Sequence, residues 1–386
     1  MDINSMSPAS GRIIAEDGSV VNAVDLLNTG SVAPISNKIH NINSYSPRSG
    51  RIIGEDGKLY NLVDLLQAGG GGGGGNASHE EELRINTTGD EEITIFQGSV
   101  VPLENGKFYV FDANVVLNAG NLEGGSAFAI GLDYYIYISN SGGIVISLNA
   151  TASAGHRKIS GFHYGVNRRN ATAPGNVYNG IVPRSIWTNT HRPKCAPEGM
   201  VYLYGGVWID IYLSSDDGAG GVVSKYNVLP LTGVESLTWY AANDRLFNVG
   251  KRMLTYREFV LAATGSPPGT SSGNENAWTA AAERAPTGFV QNAVSMVGCR
   301  DCVGNVWEWL SDIIGSGIGE TPGWFDPMSG QNQGQMWINA QNDFRALLAG
   351  GSYFNGALVG ARSVCTLFSP WNDNPSFGVR GACESL

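Results

Sequence analysis

A mainly β protein with a smaller α+β portion at its C-terminal end is the fold class this 386-residue chain predicts. Three observations point there. Fifty-three glycines supply turns, because only glycine takes positive φ without steric cost, and nine tryptophans and fifteen tyrosines suit pleated, half-buried faces. Alternating apolar runs recur through the middle of the chain, and one segment near residue 255 carries a helical period. With 42% hydrophobic and 15% charged residues the chain holds enough apolar material for real cores, and its length calls for two or three globular units.

The N-terminus is a tandem repeat, Ile3 to Leu27 returning as Ile42 to Leu66 with 18 of 25 positions identical. Each copy reads as a short strand, an Asp-Gly turn and a return strand or helical turn. A unit of this size cannot bury its own core, so residues 1–68 are expected to dock on a partner or to trimerise. Gly69 to Gly75 begin a linker over 69–82, because polyglycine gains too little burial to offset its ordering entropy.

From 83 to 164 the runs Ile93-Thr94-Ile95-Phe96, Lys107 to Phe111, Tyr134 to Ile138 and Gly143 to Ile146 are separated by glycine-containing turns, a β-sandwich pattern. Residues 165–386 are richer in tryptophan and loops. Their one expected helix starts after Thr255, carries apolar residues on one face through Ala263, and stops before Gly265-Ser266-Pro267-Pro268.

The net charge of −10 disfavours phosphate backbones, so nucleic acid is not an expected partner. No apolar run is long enough to span a bilayer, and Met1-Asp2-Ile3-Asn4 does not begin a signal peptide, so no membrane insertion is expected. The five cysteines Cys195, Cys299, Cys302, Cys365 and Cys383 form no disulfide framework. The Cys299-Arg300-Asp301-Cys302 pair lacks a second pair for zinc, and no cofactor is expected.

Four short signatures follow one another in the C-terminal half: Gly250 to Phe259, Gly304-Asn305-Val306-Trp307-Glu308-Trp309, Gly350-Gly351-Ser352-Tyr353 and Gly378-Val379-Arg380-Gly381. This order resembles the formylglycine-generating-enzyme type of C-type lectin fold. Trp307 and Trp309 then supply buried area, and Glu308, Arg362 and Arg380 are expected in buried ion pairs of the scaffold.

A resemblance to the phage major tropism determinants covers nearly all of residues 83 to 386. It rests on Arg157 to Tyr164, Ser185-Ile186-Trp187, Arg192-Pro193, Gly199-Met200, Trp208 to Leu213 and Ser224 to Asn227. These are receptor-binding variable proteins of diversity-generating retroelements. The resemblance implies a homotrimer, a virion component made in the host cytoplasm and carried on the tail-fibre tip, and a host-cell surface receptor, protein or glycan, as partner. It is silent on the N-terminal repeats, which are expected to attach to a phage tail or baseplate protein.

In that family, adenines of asparagine codons are mutated within a constant Gly, Ser, Pro and Arg framework. The variable region falls at about 344–386. The resemblance places Ser352, Phe354, Asn355, Leu358, Cys365, Leu367, Phe368, Asn372, Asn374 and Ser376 on diversified positions, held outward, with Tyr353, Trp371 and Asp373 beside them. A physical argument stands alongside. Six large apolar residues, Tyr353, Phe354, Leu358, Leu367, Phe368 and Trp371, cannot all point inward from so irregular a stretch, and an exposed set rimmed by asparagines suits protein binding.

Two alternatives share the scaffold. A formylglycine-generating-type oxidase needs a cysteine pair, and Asn355 and Gly360 occupy those places. A calcium-dependent sugar-binding lectin needs a Glu-Pro-Asn type tripeptide before Trp371-Asn372-Asp373, and none precedes it.

Overall fold

The computed structural model describes residues 81–386, apart from residue 126 and residues 171–174, 316–322, 326–333 and 339–343, together with six short strands before residue 62. Two compact units result, one of Met1–Ile85 with Thr94–Val116, the other of Asn86–Ile93 with Leu117–Leu386.

In the first unit each N-terminal repeat forms its own three-stranded antiparallel meander. Ile3–Ser7, Arg12–Ala15 and Val20–Asn22 make one, and Ile42–Ser46, Arg51–Gly54 and Leu59–Asn61 the other. Register shifts fall at the equivalent places, Ile3/Ser5 and Ile42/Ser44, so the duplicated sequence repeats even its irregularity. Two strands therefore precede the expected turn rather than one. The Asp-Gly turns, the Val-Asp-Leu-Leu ends and the polyglycine lie outside the described residues. The same unit contains the antiparallel pair Val100–Pro102 and Phe108–Val110.

The second unit is mainly β and holds two α-helices among its described residues. A five-stranded sheet runs in the order Ile144–Ser147, Leu132–Ser139, His156–Arg168, Val177–Ile181, with Trp187–Thr188 also paired to the long strand His156–Arg168. The boundary expected at residue 164 falls inside that strand. Gly161 lies under the Trp187 indole, where an added Cβ would sit 2.6 Å from the ring, so the close strand crossing needs glycine and carries the sheet on to residue 188.

A four-stranded antiparallel sheet follows, Met200–Tyr202, Val207–Asp210, Gly381–Glu384, Arg252–Met253, uniting the chain end with residues far upstream. A six-stranded sheet has the order Gly323–Phe325, Met336–Ile338, Val364–Cys365, Phe344–Ala349, Trp307–Gly315, Phe377–Val379. One core of Leu237, Leu246, Phe259, Trp309, Leu348 and Val379 lies among these elements and is fully buried.

The helix Tyr256–Ala263 forms as expected. Thr255 Oγ1 accepts from the Glu258 amide at 3.2 Å while Glu258 returns to the Thr255 amide at 2.8 Å, a reciprocal cap, and Phe259, Ala262 and Ala263 are buried. A second helix, Trp239–Phe247, contradicts the expectation of a single helix. Thr238 caps it, and Ala242 and Leu246 bury its inner face. Its exposed Tyr240 and Phe247 mask that apolar face in the sequence. Among the described residues no helix is long and apolar enough to cross a membrane.

Arg380 is the polar centre of the unit. Its guanidinium donates to Glu308 twice, at 2.9 and 2.8 Å, and to the carbonyls of Asp210, Ile211 and Arg300 at 3.1, 2.7 and 2.7 Å. All five N–H donors are thus used, which is what allows a charge to sit fully buried. Burial pushes the Glu308 carboxyl up and the guanidinium pulls it down. Arg362 is not part of this pair: it is half-buried, and its carbonyl accepts from Tyr256 Oη at 2.8 Å.

Candidate functional site

The segment that follows the strand Phe344–Ala349 is built on two glycines with positive φ. A side chain on Gly350 (φ 87°) would meet the Cys302 carbonyl at 2.6 Å, and one on Gly351 (φ 85°) would run into Val359. The backbone therefore turns sharply against the core before it surfaces. Ser352 closes the turn: its amide and hydroxyl both donate to Asn355 Oδ1 at 2.8 Å. The next residue, Tyr353, is pinned on both sides, its amide donating to the Asn305 carbonyl at 2.9 Å and its carbonyl accepting from Ala281 at 2.7 Å.

With its base held, the loop projects Phe354, which is 57% exposed and meets the half-buried Tyr353 ring edge-on at 5.1 Å. Leu358 is exposed at the end of the short 3-10 turn Gly356–Leu358.

A second projection follows the strand Val364–Cys365. Leu367 and Phe368 are half-buried against the core, Phe368 edge-on to Phe377 at 4.6 Å. Trp371 then emerges 62% exposed, beside exposed Asp373. Asn372 and Asn374 are half-buried and use their side-chain oxygens locally. Asn372 Oδ1 accepts from the Ser369 amide at 2.8 Å, and Asn374 Oδ1 from the Ser376 amide and hydroxyl at 3.0 and 2.8 Å.

The outward orientation expected for the whole set does not hold. Ser352, Cys365 and Ser376 are buried. Ser352 and Ser376 are drawn in by their own asparagine turns, and the Ser376 carbonyl also accepts from Trp307 at 2.7 Å. Cys365 lies mid-sheet between Leu348 and Trp337, where burial pushes its thiol up to about 12. Asn355, one of the two places an oxidase would give to cysteine, is committed to Ser352; the other, Gly360, is buried backbone that donates to Ser363 Oγ at 2.8 Å. Among the described residues no three His, Cys, Asp or Glu side chains gather as metal ligands, and Cys299 and Cys302 are buried in the core.

Fixed neighbours that sequence reasoning missed flank both projections. Gly233 donates to the Asn374 carbonyl at 3.0 Å and Trp239 to the Pro370 carbonyl at 3.0 Å, which brings the segment carrying exposed Val234 and Tyr240 alongside the Trp371 loop. Exposed Phe289 packs edge-on to Trp278 at 5.2 Å in the segment that also holds Ala281, the Tyr353 partner. Arg284 joins the two flanks through Glu235 at 2.7 Å. The signal for these residues was the unrecognised helix Trp239–Phe247, whose aromatics are surplus to its buried face.

The fold and the site together define a class: a C-type-lectin-like scaffold with a rigid, hydrogen-bonded frame and two short aromatic-bearing loops. Residues 83–188 match the family model described as the Mtd second domain. Over 325 residues the chain is 28% identical to the tail fiber receptor-binding protein of Bordetella phage BPP-1, covering 78% of this chain and 81% of that protein. Among solved structures, the Major Tropism Determinant M1 variant superposes with a TM-score of 0.64 at 26% identity, over 80% of this chain and 85% of its own. The P3c variant shares the fold at a TM-score of 0.64 and 24% identity, over 93% of this chain and 98% of its own. Over most of its length the chain is thus similar to the phage major tropism determinants.

Proposed function

We propose that this protein is the receptor-binding protein of a phage tail fibre and attaches the virion to a receptor on the host-cell surface. The observation that carries this reading is the exposure of Phe354, Leu358 and Trp371 on loops whose bases are locked by hydrogen bonds. Large apolar groups left in water on a rigid frame are pre-organised for contact, because little side-chain or loop entropy remains to be lost on binding. The similarity to the tail fiber receptor-binding protein of BPP-1 supports the same reading.

Magnitudes say how the binding is organised. Covering Phe354 and Trp371 removes on the order of 200 Å² of apolar surface, about 5 kcal/mol gross. Association costs about as much or more, so one such site alone binds weakly. Three copies on one particle overcome this by valency, and a homotrimer is the assembly we assign. In this organisation residues 1–68 attach the chain to a tail or baseplate protein, 69–82 are a linker, 83–188 a spacer domain and 189–386 the receptor-binding domain. The thirteen positions from Ser352 to Ser376 form the variable region: Phe354, Leu358, Trp371 and Asp373 touch the receptor, with Tyr353 behind them, and the asparagine turns and half-buried Leu367 and Phe368 set loop shape.

Purified protein incubated with host cells should block adsorption of phage particles that carry this chain, with or without a calcium chelator, and should run in solution at the mass of three chains. Undiminished adsorption at saturating protein sinks the receptor-binding reading. Blocking lost on chelation points instead to the calcium-dependent lectin.

A further inference from the structure

Two cysteines far apart in sequence meet at the edge of the four-stranded sheet. Pro193 and Ser385 form an antiparallel bridge, the Lys194 amide donates to the Glu384 carbonyl at 2.9 Å, and the Leu386 amide donates to the Arg192 carbonyl at 2.9 Å. Continuing that register sets Cys195 opposite Cys383, 188 positions later. The pairing does not run on as a ladder there. Instead the Cys195 amide donates to Cys383 Sγ at 3.2 Å, which puts one sulfur against the backbone that bears the other. The last paired residues beside them, Lys194 and Glu384, belong to an antiparallel pair whose facing Cα atoms lie about 4.5–5.5 Å apart. The adjoining cysteines therefore need only a small backbone adjustment to enter the roughly 4.4–6.8 Å window of a disulfide.

We propose that Cys195 and Cys383 are an oxidation site: free thiols in the structure, they close to a disulfide when the protein meets a disulfide oxidant, tying the C-terminal strand Gly381–Glu384 to residues 192–196. The reaction is ordinary exchange. One cysteine thiolate attacks oxidised glutathione, forming a mixed disulfide and releasing one glutathione thiolate. The second cysteine thiolate then displaces the other glutathione, so two protein thiols become one disulfide, and the two released thiolates take up the two protons.

Access distinguishes Cys195, and with it the pair, since its partner Cys383 is buried. Cys195 is only half-buried, whereas Cys299, Cys302 and Cys365 lie in the core. Burial and the neighbouring Cys383 thiol hold Cys195 above the ordinary thiol range, so the exchange runs slowly at neutral pH and faster as the pH rises. The consequence is mechanical. The strand Gly381–Glu384 begins one residue after Arg380, so the bridge fastens the element that carries the buried centre of the scaffold, and it closes a very long loop, the case in which a cross-link most restricts the unfolded chain.

Full-length protein treated with oxidised glutathione, alkylated and digested should yield one peptide pair joined through Cys195 and Cys383, with the thermal unfolding midpoint raised and restored by reductant. Cys195→Ser, checked by circular dichroism for an unchanged fold, should lose both the linked pair and the rise. Oxidation that joins only Cys299 to Cys302, or leaves Cys195 and Cys383 each capped by glutathione, overturns the proposal. So does a linked pair with no change in the midpoint.

Discussion

Asn355 Oδ1 accepts from both the amide and the hydroxyl of Ser352 at 2.8 Å, three positions earlier, and Ser352 is completely buried. The Asn374–Ser376 pair repeats the device at the far end of the segment, and Asn372 does the same for the Ser369 amide. Each asparagine substitutes for a backbone acceptor and shapes a turn without a regular element. Asn355→Ala strands two buried donors and should cost about 1–2 kcal/mol in denaturant unfolding. Asn355→Asp keeps the acceptor and should stay close to the parent. An alanine variant as stable as the parent would show that the turn is held by the glycines alone.

The Glu308–Arg380 pair should behave as a scaffold element. Arg380→Met leaves a carboxylate buried without its counter-charge, and three carbonyls lose their donor, for a loss of about 3–5 kcal/mol. Glu308→Leu combined with Arg380→Met should recover part of that loss, because no charge is then left buried. A double-mutant cycle on unfolding midpoints reads the coupling, and strictly additive losses would mean the two residues act separately.

Much of this architecture was legible in local chemistry. Thr255 and Glu258 announce a helix start because a reciprocal cap needs those residue types at that spacing. The helix Trp239–Phe247 was not legible, because Tyr240 and Phe247 face water and blur the apolar period, and Asn243 and Asp244 favour turns. In the variable segment the composition argument, that six large apolar residues cannot all turn inward, splits in the structure. Phe354, Leu358 and Trp371 are exposed, while Leu367 and Phe368 lean on the core. Periodicity could not sort them: outside strands and helices the direction of a side chain depends on each backbone turn. Here those turns are set by Gly350, Gly351 and asparagine hydrogen bonds that span only a few residues.

The Arg284–Glu235 bridge gives a pH test of the frame around the loops. Glu235 accepts from Arg284 at 2.7 and 2.9 Å and from the Thr232 amide at 2.8 Å, and Arg284 also reaches Thr232 Oγ1. The guanidinium hydrogen bonds hold the Glu235 carboxyl at about 2, below its ordinary 4.5. A depressed carboxylate stabilises the fold above its unfolded value and loses that contribution as pH falls from about 4.5 towards 2. Because the pair is partly solvated, its worth at neutral pH is about 1 kcal/mol. Glu235→Gln should therefore melt below the parent at pH 7, with the gap narrowing below about pH 4.5 and closing towards pH 2. A gap that does not change with pH would assign the loss to packing.

Exposure separates binding from stability within the same segment. Phe354→Ala and Trp371→Ala remove side chains that mostly face water, so each should change unfolding by no more than about 0.5 kcal/mol. Phe368→Ala removes a ring packed on Phe377 and should cost about 1–3 kcal/mol, less than a fully buried phenylalanine. Adsorption to host cells should show the reverse order. Each exposed aromatic contributes on the order of 2 kcal/mol to a single contact, roughly thirtyfold in affinity, and three copies multiply that loss. Phe368→Ala, measured where it is still folded, should adsorb closer to the parent than either exposed variant. If Phe354→Ala and Trp371→Ala both adsorb normally while Phe368→Ala does not, the half-buried face carries the receptor contact and the exposed loops do not.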